Sequence, residues 1–133
     1  MGPNEVELVR VWTREPGGEV SSLVFYSDSD FEVVVDCETG RAVHGTGGSW
    51  GISICVRDLY ENKSIYTEGR NGVFGDDFWS SQRGSIIFRI PAPTAEHEWH
   101  ACEVIAQLVS GGVGLAAPDV SLARSPLFCI ISP

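Results

Sequence analysis

The chain has 133 residues, 43% apolar and 20% charged, which is enough for one folded domain and too little for two. Acidic residues outnumber basic ones 18 to 9, and the resulting net charge of −9 disfavours nucleic acid and anionic lipid surfaces as partners. The longest uncharged stretch, 104–118, is broken by Gly111, Gly112, Gly114 and Pro118 and falls short of the roughly 20 apolar residues of a membrane-spanning helix.

Met1-Gly2-Pro3 runs at once into a strand, with neither a basic nor an apolar leader segment, which predicts a domain excised from a longer chain and not a secreted one. Period-two alternation then dominates and predicts strands. Val6 to Thr13 forms the first, closed by the turn Arg14-Glu15-Pro16-Gly17-Gly18. Residues 31–37 place Phe31, Val33, Val35 and Cys37 on one face, and residues 50–57 do the same for Trp50, Ile52, Ile54 and Val56. Ser64 to Thr67 pairs with that strand through the polar hairpin loop Tyr60-Glu61-Asn62-Lys63. Residues 68–84, rich in Gly, Asp and aromatics, read as one long irregular segment, a length that is commonly functional. Ser85 to Pro91 turns Ile86, Phe88 and Ile90 inward, and 99–109 and 126–131 complete seven or eight strands. No helix, repeat or internal linker is expected. The fold class is therefore all-β: a single antiparallel β-sandwich over residues 1–133, immunoglobulin-like or jelly-roll-like.

In order and spacing these elements resemble the C-terminal carbohydrate-binding domain of Wzt-type ATP-binding subunits, which serve ABC exporters of O-antigen and related polysaccharides. The resemblance runs through the first strand with its Pro16-Gly17-Gly18 turn and the segment from Phe25 to Val35. It continues through Trp50-Gly51-Ile52-Ser53-Ile54-Cys55-Val56-Arg57-Asp58 with the return strand Ile65-Tyr66-Thr67, and ends on Gly84-Ser85-Ile86-Ile87-Phe88-Arg89-Ile90-Pro91. It implies a non-catalytic module that binds a polysaccharide, needs no cofactor, and works with a parent ATP-binding domain and membrane exporter subunits. It also implies a cytoplasmic place, peripheral to the inner membrane and without insertion into it. An alternative resemblance, to an extracellular immunoglobulin-like adhesion domain, rests on the spacing of Cys37, Trp50 and Cys102 and implies a Cys37–Cys102 disulfide.

The cysteines Cys37, Cys55, Cys102 and Cys129 contain no CxxC pair, which argues against a zinc knuckle. An even count allows two disulfides in an oxidising compartment; without a secretion signal, buried free thiols are expected. His97 and His100, near Glu96, Glu98, Cys102 and Glu103, differ by an odd number, so on a strand they point to opposite faces and no metal site is expected. Asp76-Asp77 lacks the spacing of a calcium loop. No Ser stands in a Gly-x-Ser-x-Gly frame and no phosphate-binding loop is present, so no catalytic residue is assigned.

Sugars are held by aromatic rings against pyranose faces, with carboxylates, amides and Arg on the hydroxyls. Trp50 shares the parity of Ile52 and belongs to the core. Trp12, Trp99 and the pair Phe78-Trp79 are the spare aromatics, and the residues assigned to carbohydrate are Trp79, Asp76, Asp77, Arg57, Trp99 and Glu103. The same parity turns Cys55, Ala101, Ile105, Leu127, Cys129 and Ile131 outward on three strands that lie side by side in a sandwich. A water-facing sheet should be polar there, so a homodimer interface through Ile105, Leu127, Cys129 and Ile131 is expected, with the final strand free to pair or exchange across a twofold axis.

Overall fold

A computed structural model describes residues 6–40, 48–111 and 119–133. The chain is an all-β sandwich. One sheet has three strands in the order β1-β3-β6, from β1 (Val6–Arg14), β3 (Phe31–Thr39) and β6 (Arg83–Ile90). The other runs β2-β9-β7-β4-β5, from β2 (Val24–Tyr26), β9 (Phe128–Ile131), β7 (Ala101–Gly111), β4 (Ser49–Asp58) and β5 (Lys63–Val73). β8 (Asp119–Arg124) folds back on β7 as a hairpin. The order β1-β3-β6 over β9-β7-β4-β5 is that of immunoglobulin-like strands A-B-E over G-F-C-C′, which selects the immunoglobulin-like form over a jelly roll. Among the described strands pairing is antiparallel except where β2 runs parallel to β9, and an isolated parallel bridge joins Glu98 to Ile130. Among the described residues no helix is long and apolar enough to cross a membrane.

The alternation read from the sequence builds the core. Ile52, Ile54 and Val56 of β4 stand opposite Leu108, Ala106 and Val104 of β7, facing Val33, Val35, Ile86 and Phe88 of the other sheet. Each such side chain contributes roughly 1.5–3 kcal/mol on burial. The two ends are closed by aromatics. Phe25 stacks on Phe31 at 4.5 Å and meets the edge of Phe128 at one end. Trp79 meets Phe74 at 4.9 Å and Trp50 at 6.0 Å at the other.

Four local features depart from the sequence reading. A bulge between Leu8 and Arg10 lets Leu8 and Val11 both face the core, leaving Val9 exposed. Trp12 consequently lies on the outer face of the three-stranded sheet, covered by Arg10 and Arg14 and donating its indole N–H to Asp36 at 3.0 Å. β5 runs on to Val73, so the irregular segment shrinks to residues 74–82. Its alternation was hidden because Glu68 and Arg70 occupy inward positions at the seam of the sandwich. There they pair at 3.3 Å, and Arg70 donates to the Ile87 carbonyl of β6 at 2.9 Å. β2 and β8, at three and six residues, carry too little pattern to be read.

Two expectations are overturned. The final strand is not free: β9 is bordered by β2 on one side and β7 on the other. The Cys37–Cys102 disulfide is also ruled out. Cys102 stands opposite Phe128, whose ring contacts Phe31, while Cys37 lies six residues further along β3, about 20 Å away at strand rise. A disulfide needs Cα atoms within roughly 7 Å. All four cysteines are free thiols, with Cys37 and Cys102 buried.

Candidate functional site

The outward faces of β5, β4, β7 and β8 align in three rows: Thr67–Cys55–Ile105–Arg124, Gly69–Ser53–Gln107–Leu122, and Asn71–Gly51–Val109–Val120. Small residues at Gly51, Ser53 and Gly69 lower the middle of this face. The outcome is a shallow trough: a hollow of about 440 Å³ over Ser53, Cys55, Thr67, Gly69 and Ile105 shares Ser53, Gly69 and Gln107 with a neighbouring one of about 410 Å³. Among the described residues, the side chains of Ser53, Thr67, Asn71 and Gln107 make no hydrogen bond within the protein. These are hydroxyls and amides, groups that both donate and accept, above a floor partly apolar through Ile105 and Val109.

Beyond the first row, Arg57 of β4 stands opposite Glu103 of β7. Glu103 is buried and accepts from Arg124 at 3.1 Å, while Arg57 donates to Asn62 Oδ1 at 2.8 Å. Trp99 follows at that end of the sheet, outside β7. Its backbone is left-handed, φ 66°, a conformation costly for a bulky residue. It is held there by its own N–H on the Ile130 carbonyl at 2.6 Å and by Glu98, which accepts from Ser27 and Ser132. The indole is left 70% exposed.

The carbohydrate set read from the sequence is thus divided. Arg57, Glu103 and Trp99 gather at one end of the outer face. Trp79, Asp76 and Asp77 lie at the opposite end of the sandwich, near Trp50, about 23 Å along β4 from Arg57. Trp79 is fully buried and has no face to offer a sugar, which corrects its assignment. Asp76 is a loop brace: its carboxylate accepts from the backbone N–H groups of Val73, Phe78 and Trp79. Asp77 is exposed in the same loop. The interface set divides as well. Cys129 and Ile131 lie on β9, with Leu127 just before it, beside Leu23, Val24 and Tyr26, whereas Ile105 lines the hollow over β4 and β5.

One constellation was missed. Asp58 continues the core-facing parity of Ile52, Ile54 and Val56 and is fully buried. His97, in a 3₁₀ turn at Ala95–His97, and His100, just before β7, both direct Nδ1 at Asp58 Oδ2, at 2.7 and 2.6 Å. The Glu61 N–H donates to Asp58 Oδ1 at 3.0 Å. Burial works to raise the Asp58 pKa, but the two imidazoles and the Glu61 amide outweigh it and bring it down to about 2. With the carboxylate ionised, both Nδ1 atoms carry the protons. The strand-parity argument against His97 and His100 fails because neither lies in a strand. A carboxylate at a core-facing position, which must find buried partners, was the available signal. Tyr60 stacks on His100 at 4.6 Å and is itself exposed.

No protein-family model and no curated protein matches the chain.

Proposed function

We propose that this domain is a non-catalytic carbohydrate-binding module whose glycan lies in the trough across β5, β4 and β7. The observation that carries the reading is the set of four unengaged polar side chains, Ser53, Thr67, Asn71 and Gln107, around a glycine-lowered floor. Hydroxyl and amide groups of this kind suit a polyol, and a wide, shallow site suits a chain and not a single small molecule. From Glu103 to Val109 the face extends about 20 Å along β7, with Trp99 beyond it as an exposed ring for stacking.

The resemblance to Wzt-type subunits supports the same reading and gives it a context. The glycan would be a surface polysaccharide of the O-antigen kind, and the neighbours would be an ATP-binding domain and membrane exporter subunits on the cytoplasmic face of the inner membrane. A homodimer built on the apolar side chains of β2 and β9 would set two troughs on one exporter and raise avidity without strengthening either site. A glycan array followed by calorimetry tests the module. Gln107→Ala and Trp99→Ala should each weaken binding about tenfold while leaving the melting temperature within 1–2 °C. Undiminished binding in Gln107→Ala together with Asn71→Ala, or none to any polysaccharide at millimolar sites, overturns the reading.

A further inference from the structure

We propose that Asp58, His97 and His100 bind a divalent transition-metal ion of the zinc type. One ligand atom from each of the three lies within 4.8 Å of the other two, and both imidazole Nδ1 atoms sit against Asp58 Oδ2, at 2.7 and 2.6 Å. Two imidazoles and a carboxylate are a donor set that zinc takes in its three-ligand sites, which leave one coordination position open. The site stands at the end of the sandwich where Asp58 closes β4, beside Trp99, and its donor set does not depend on the glycan reading.

The three elements fix the donors from different directions. Asp58 is anchored through Oδ1 by the Glu61 amide, which leaves Oδ2 to the ion. His97 is buried in the 3₁₀ turn, and its Nε2 faces Glu96 Oε1 at 3.5 Å. His100 is partly exposed and precedes the β7 ladder, so it can shift by fractions of an ångström without breaking a strand pair. Zinc bonds of about 2.0–2.2 Å place tetrahedral ligand atoms about 3.3 Å apart. The two N···O pairs at 2.6 and 2.7 Å therefore open when the ion replaces the shared protons. Each neutral imidazole keeps one proton, moved from Nδ1 to Nε2. On His97 that proton then points to Glu96, the carboxylate partner that metal-bound histidines typically have.

The test uses the whole chain, stripped with a chelator and titrated with Zn²⁺ and, separately, with Co²⁺. At a hundredfold excess over Kd, zinc should raise the melting temperature by about 5–10 °C and saturate at one equivalent. Cobalt should give visible d–d bands without the near-ultraviolet thiolate charge-transfer band that binding at Cys55 or Cys129 would produce. His100→Gln, which retains an amide donor toward Asp58 but no imidazole, should fold and lose both responses. Absence of a zinc shift in the wild type, a thiolate band, or an undiminished shift in His100→Gln overturns the proposal. Should that variant not fold, the wild-type cobalt spectrum alone decides.

Discussion

The indole of Trp79 is seated against Gly84 so closely that a Cβ at position 84 would stand 2.9 Å from Trp79 Cδ1. The opening of β6 and the closing of the loop 74–82 are thus one packing event, which ties the loop to the core. Gly84→Ala should cost about 1–3 kcal/mol through overpacking, and Trp79→Ala about 3–5 kcal/mol through the cavity it leaves. Urea unfolding checks both, and a midpoint unchanged in Gly84→Ala would show that the ring is not held there.

The thiols should divide by reactivity. Burial, with Asp36 nearby, pushes Cys37 up to about 12; burial, with Asp58 and Cys129 nearby, does the same for Cys102. Cys55 and Cys129 are half-buried. In native protein an aromatic disulfide reagent at pH 8 should label these two first. After denaturation without reductant all four should react, and a count of two would mean a disulfide that the geometry excludes for Cys37 and Cys102.

Acid should weaken the three-stranded sheet through Glu32. The Gly17 N–H at 3.0 Å holds its carboxyl below the ordinary 4.5, against burial, which raises it, and with the Arg14 guanidinium at 2.9 Å adding to the lowering. A depressed carboxylate contributes stability that is full above its unfolded value and is lost as pH falls through the folded one. Glu32→Gln should cost roughly 1 kcal/mol at pH 7 and nothing at pH 2. Parallel melting curves of the two proteins across pH 2–7 measure the difference, and a constant gap would refute the assignment.

The apolar side chains of β2 and β9 make the dimer proposal measurable. Leu127→Asp with Ile131→Asp should convert a dimer to a monomer in sedimentation at micromolar concentration, with the trough and its glycan binding per chain unchanged. A wild-type protein that sediments as a monomer would remove the dimer.

The alternating strands β3, β4, β6 and β7 were legible in the sequence because a sheet buried on one face writes its period into the residues. β5 was truncated because its inward positions hold a Glu68–Arg70 pair at the open seam, where apolar residues would be expected. The parity of Arg57, Glu103 and Ile105 could be read, but not their division between trough and rim, since that depends on which strands lie next to one another and where glycines lower the surface. Trp79 was misjudged for a related reason: a residue in a loop has no period, so nothing local separates a core anchor from an exposed ring. The Asp58 constellation joins residues 39 and 42 positions apart and becomes visible only when the turn before β7 is folded.

Of the four tryptophans, Trp12, Trp50 and Trp79 are all below 10% exposed, and Trp99 alone stands in solvent. The chain therefore carries its own optical reporter at one end of the outer face. Trp99 should account for the red-shifted, iodide-quenchable part of the emission, with the other three contributing a blue-shifted, protected part. Any macromolecule seated over that end of the sheet would shield one fluorophore selectively, so occupancy could be followed without a label.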